Sequence, residues 1–72
     1  MIKVTLDEVL AERNMTVTEL AQRVGITQAN MSNLKNGHAR GVRFATLDAI
    51  CRVLQCEPGQ LIRYLPATDD PA

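Results

Sequence analysis

Thr16-Val17-Thr18-Glu19-Leu20-Ala21-Gln22-Arg23-Val24-Gly25-Ile26-Thr27-Gln28-Ala29-Asn30-Met31-Ser32-Asn33-Leu34-Lys35-Asn36-Gly37 holds two helix starts and two helix stops in close succession. Thr16-Val17-Thr18-Glu19 has the form of a capping box, in which a hydroxyl accepts the third backbone N–H and an acid reaches back. Leu20, Ala21 and Val24 then share the inner face of a helix. Gly25 stops it, since glycine takes a positive φ without a Cβ penalty. Only Ile26 separates Gly25 from Thr27, a good N-cap for a further helix from Gln28 to about Asn36. Asn36-Gly37 is a strong breaker. Two helices joined so tightly must cross steeply and hold the second one proud of the body. Ala21 is small where they touch, Ile26 plugs the turn, and Met31 and Leu34 anchor the second helix. Gln28, Ala29, Ser32 and Asn33 are left on its outer sides, with Lys35 and Asn36 near its end.

Outward from this stretch the pattern stays helical. Ile2-Lys3-Val4-Thr5 alternates apolar and polar, which suits a short strand or extended arm. Thr5-Leu6-Asp7-Glu8 repeats the capping-box form and predicts a first helix with Leu6, Val9 and Leu10 inward, ending near Arg13-Asn14. After the loop 37–43, Leu47, Ile50, Cys51 and Leu54 mark an amphipathic helix that begins at Phe44 or Ala45 and ends at Leu54. Pro58 suits the first turn of a short fifth helix ending near Leu61 or Ile62. Ile62-Arg63-Tyr64-Leu65 alternates again before Pro66. The expected fold is all-α, with five helices over residues 1–66. Short terminal strands would pair residues 2–4 with 62–65, within one chain or between two. Residues 67–72 read as a disordered acidic tail.

Composition narrows the function. The chain has 72 residues, too few for a second domain. Its 46% hydrophobic and 22% charged residues are ordinary globular values, which exclude a disordered or fibrous chain. No apolar run is long enough to span a bilayer and no signal peptide is visible, so the expected location is the cytoplasm. Eight Lys+Arg balance eight Asp+Glu for a net charge of zero, which by itself argues against a polyanionic partner. The distribution reverses that inference. Leu20 to Leu47 contains no acid but holds Arg23, Lys35, Arg40 and Arg43, so a basic centre is hidden by acidic flanks.

The outer face of the Gln28–Asn36 helix carries Gln, Ala, Ser and Asn in place of the Glu and Lys pairs of ordinary surface helices. Those side chains suit a DNA major groove. Gln and Asn can bond adenine N6 and N7 together, Ala can touch a thymine methyl, and Ser can serve a base or a phosphate. At residues 16–28 and 34–37 the chain resembles the Cro/repressor-type (XRE) helix-turn-helix family. The likeness continues through Phe44–Cys51 and Leu54–Leu61 and covers roughly residues 4–66. The resemblance implies a five-helix, phage-repressor-like domain that binds specific double-stranded DNA as a homodimer and regulates transcription, as a repressor. It places Gln28, Ala29 and Asn33 at base-reading positions, with Ser32 close by. Thr27, Asn36, Arg40, Arg43 and the amide of Phe44 fall at phosphate-contacting positions, together with Thr16 at the start of helix two and Lys35. Many relatives carry Gln where this chain has Val17, and an acid where it has Lys35.

The remaining reactive residues suggest no second chemistry. Cys51 and Cys56, five apart, would point about 140° apart on a continuous helix and lack a His/Cys cluster to complete a metal site. They read as small apolar residues. His38 is alone in a Gly-rich loop. No nucleophile–base pair or phosphate-cradling glycine motif appears, so neither an enzyme, a cofactor nor a small-molecule ligand is expected. Two rivals remain: an interaction module of the same fold, antitoxin-like or polymerase-associated, and a thiol-based sensor.

Overall fold

Leu20, Met31, Ile50 and Leu54, each less than 2% exposed, form the centre of the core. In the computed structural model, which describes residues 1–66, they come from three helices. These are α2 (Val17–Val24), α3 (Gln28–Lys35) and α4 (Phe44–Leu54). Leu6, Val9 and Leu10 of α1 (Leu6–Glu12) and Leu61 of α5 (Pro58–Leu61) complete the buried set with Ala21. Each large aliphatic side chain taken fully from water contributes about 1.5–3 kcal/mol, so the eight that accompany Ala21 dominate the stability of so short a chain.

The chain ends form a two-stranded antiparallel sheet of β1 (Ile2–Val4) and β2 (Ile62–Tyr64). Ile2 pairs with Tyr64, Lys3 with Arg63 and Val4 with Ile62. The expected strand pairing is therefore made within one chain. Val4 and Ile62 pack on the core, while Ile2 and Tyr64 continue the same face into solvent. Beyond the strands, Leu65 N–H donates to Met1 O at 2.7 Å and Thr5 N–H to Leu61 O at 2.7 Å.

Two local expectations are corrected. Thr5 does not cap α1 with its side chain. It is 3% exposed, and its hydroxyl donates to Gln60 O at 2.7 Å, tying the start of α1 to α5. A buried hydroxyl needs a partner, and the β1–β2 pairing brings that carbonyl to it. Arg13 and Asn14 lie beyond α1: Arg13 is its C-cap and Asn14 has φ 52°. The second correction concerns the cysteines. Gln55 takes a left-handed conformation, φ 54° and ψ 54°, that ends α4 and folds Cys56 back on Cys51. The continuous-helix geometry assumed for that pair does not apply. The expected acidic tail, residues 67–72, lies outside the described residues.

Candidate nucleic-acid interface

The α2–α3 corner is held by backbone chemistry at three points. Thr16 Oγ1 accepts from Glu19 N–H at 3.1 Å and opens α2. At its end Gly25, with φ 89°, lets Ala21 O accept from Gly25 N–H at 2.9 Å and Ile26 N–H at 3.2 Å. A Cβ on Gly25 would meet nothing within 4 Å, so glycine is required for its φ and not for space. Thr27 Oγ1 then accepts from Asn30 N–H at 3.1 Å and opens α3. Ala21 is 2% exposed, as the close crossing demands. Glu19 does not complete the reciprocal half of a capping box; its carboxylate pairs with Arg23 at 2.8 Å.

Among its residues α3 fully buries only Met31. Gln28, Ala29, Asn30 and Asn33 are exposed, and Ser32, Leu34 and Lys35 are half-buried. The helix thus turns an uncharged polar face to solvent. Val17 packs against the core, and the Gln28 side chain has no hydrogen-bond partner among the described residues.

The loop after α3 is anchored by Asn33 O, which accepts from His38 N–H at 2.8 Å and Ala39 N–H at 3.2 Å. Asn36 is the C-cap of α3 and Gly37 has φ 77°. The loop then delivers Arg43 back to α3. A groove of about 550 Å³ between α3, the loop and the start of α4 is lined by Asn30, Asn33, His38, Arg43 and Thr46 among others. Arg40 instead borders a smaller groove of about 220 Å³ shared with Ile2, Val4 and Ile62 of the sheet. The two loop arginines therefore face different grooves. Asn30 and Thr46 were missed in the sequence. The i, i+3 spacing of Asn30 and Asn33 is the signal that could have found the first; Thr46 is brought to the groove only by the chain's return.

α4 begins without a side-chain cap: its N-cap is Arg43, and the first amide with an intrahelical acceptor is Leu47 N–H, on Arg43 O at 2.9 Å. The amides of Phe44, Ala45 and Thr46 are thus left for an external acceptor, with the positive end of an eleven-residue helix behind them. Phe44 itself is 86% exposed. Among the described residues Lys35, Arg40 and Arg43 form no salt bridge, whereas Arg23 and Arg52 each pair with an acid four residues earlier. Arg43 and the free helix end lie beside the neutral face of α3, which Lys35 closes, an arrangement that suits phosphates and leaves amide side chains free for bases.

A family model of the Cro/C1-type HTH DNA-binding domain matches residues 5–67. The chain belongs to that family. It is 54% identical over 63 residues to the uncharacterised HTH-type transcriptional regulator YozG of Bacillus subtilis strain 168, covering 88% of this chain and 75% of that protein. Its fold is similar, with a TM-score of 0.77 and 25% identity, to the crystal structure of a candidate DNA-binding protein from Bacteroides fragilis; the match covers 88% of this chain and all of the other. As a Cro/C1-type domain it carries α2 and α3 as its helix-turn-helix, and it binds DNA. The five helices and small sheet are those the sequence led us to expect. Among the described residues no helix is long and apolar enough to cross a membrane, and no group of three His, Cys, Asp or Glu is placed to hold a metal ion.

Proposed function

We propose that this protein represses transcription in the cytoplasm by binding a specific duplex site as a homodimer, with α3 in the major groove. The observation that carries the reading is the uncharged polar face of α3 beside the uncapped start of α4 and the unpaired Lys35 and Arg43. Gln28, Ala29, Ser32 and Asn33 read base edges, and the groove adds Asn30 to that set. Thr16, Thr27, Lys35, Asn36, Arg40, Arg43 and the Phe44 amide grip phosphates and set the register. Val17 offers no amide to steady Gln28, so Gln28 is oriented by DNA alone.

A two-fold dimer spaces its recognition helices about 34 Å apart, one turn of DNA. The surface suited to a second copy is the end of the sheet. Met1, Ile2 and Tyr64, 74%, 63% and 71% exposed, cluster there with Leu65. The groove beside Ile2 adjoins this patch, so a partner's Tyr64 would pack against it, two such contacts being related by a two-fold axis. Val53, by contrast, is half-buried against the core.

The test is selection of bound sites from a random duplex pool, followed by mobility shifts of wild type and Gln28→Ala on the selected and a scrambled site. Gln28→Ala should lose roughly 1–3 kcal/mol of discrimination at one base pair per half-site. Equal losses on both duplexes would remove Gln28 from the reading face. No salt-sensitive DNA binding by the wild type would refute the function itself and favour a protein partner.

A further inference from the structure

The DNA contacts proposed above include neither Cys51 nor Cys56. Both thiols are reduced and half-buried. The left-handed Gln55 turns the chain so that Cys56 N–H donates to Cys51 O at 3.1 Å. This is the six-to-one bond of a Schellman turn, whose flanking residues meet side chain to side chain. The thiols accordingly lie together: burial, and then the neighbouring Cys51 thiol, push the Cys56 thiol up from its ordinary range, with the Arg13 charge opposing them. Arg13 also pins the turn, its Nε donating to Leu54 O at 2.8 Å and its Nη2 to Gln55 O at 3.3 Å.

We propose that Cys51 and Cys56 are a reversible dithiol–disulfide pair, closed within one chain by a low-molecular-weight disulfide, and that closure latches the turn between α4 and α5. A direct N–H···O bond between two residues holds their Cα atoms about 5–6 Å apart, within the ~4.4–6.8 Å that a disulfide bridges. The first thiolate to form attacks one sulfur of the oxidant, breaking its S–S bond and releasing one thiol that takes up the proton. The second cysteine loses its proton and attacks the mixed disulfide, releasing the other thiol. Two protein thiols are oxidised and the oxidant is reduced to two thiols. Half-burial admits a small oxidant yet hinders the approach of a second protein, so closure within the chain outruns cross-linking. At 1.5 Å per residue, α4 places Cys51 roughly 11–12 Å from Phe44 and Arg43, and Cys56 lies past the far end of the helix. Closure therefore strengthens the junction to α5 and β2 without touching the face opposite DNA.

The experiment treats the full chain with oxidised glutathione and follows intact mass, thiol titration and peptide mapping before and after reductant. The expected product is a monomer lighter by about 2 Da with no titratable thiol and a 51–56 linkage, restored by reduction. Its thermal midpoint should rise by a few degrees. Cys56→Ser should stop at a glutathione adduct on Cys51. Stable adducts on the wild type, cross-linked dimers, or two unreacted thiols would overturn the pair, and a lowered midpoint would overturn the latch. Affinity for the selected duplex should stay within about twofold on oxidation. A larger change would show that the pair does communicate with the DNA face, whereas loss of DNA binding by the reduced protein would concern the proposed function only.

Discussion

Gly25→Ala tests the corner on which the interface depends. Gly25 has φ 89° and ψ 27°, and an added methyl would meet no atom within 4 Å. Clash is thus absent and only the backbone matters. Holding an L-residue in the left-handed region costs about 1–2 kcal/mol. Fewer unfolded conformations return roughly 0.4–1 kcal/mol. Taken at their midpoints the two effects leave a loss of about 0.8 kcal/mol, which in a domain of this size lowers the melting midpoint by about 3–6 °C. Gly59→Ala is the matched control. It too has open space around its Cβ, but its φ is not positive and it sits in α5. There the same methyl should raise stability by about 0.5–1 kcal/mol. Thermal and urea unfolding followed by circular dichroism compare the two variants on one protein. If Gly25→Ala melted at or above the wild-type temperature, the left-handed turn between α2 and α3 would not exist in solution and the helix-turn-helix geometry would be wrong.

Thr5 separates a cap from a buried tie. Thr5→Asp, which a cap would tolerate, should destabilise strongly, and Thr5→Val should cost about 1–3 kcal/mol by leaving Gln60 O without its donor; a stable Thr5→Asp in urea unfolding would restore the capping role. Arg43→Ala should weaken binding to selected and scrambled duplexes alike and reduce the salt slope by about one, while Arg23→Ala, whose charge is already held by Glu19, should change the slope little. Equal slopes for the two variants in salt-titrated binding would count against the division between them. Tyr64→Glu should abolish self-association in sedimentation equilibrium while leaving the circular dichroism spectrum and half-site binding intact. A dimer that survives this change does not use the sheet end.

Much of the architecture was readable locally. Thr16, Gly25, Thr27 and Gly37 are decisions taken within four or five residues of chain, by a hydroxyl reaching an amide or by a φ that only glycine adopts cheaply. Leu20, Met31, Ile50 and Leu54 follow helical period and came out buried as expected. The outer face of α3 follows from the same period once the inner one is known, and the charge segregation between Leu20 and Leu47 is visible without coordinates.

What the sequence could not decide depended on residues far apart in the chain. Thr5 has the local form of a cap, yet a carbonyl 55 residues away claims its hydroxyl because the strands bring α5 beside α1. Arg40 and Arg43 are near neighbours in one loop, but the path of that loop sends one toward the sheet and the other toward α3. Cys51 and Cys56 meet because a single left-handed residue, Gln55, carries a conformation that its side chain does not announce, and Arg13 of a different element holds the turn closed. Local propensity chose the helices and the corner between them. Tertiary contact chose which hydroxyl, which arginine and which thiol faces which partner, because a polar group taken from water must be satisfied by whatever the packing brings within reach.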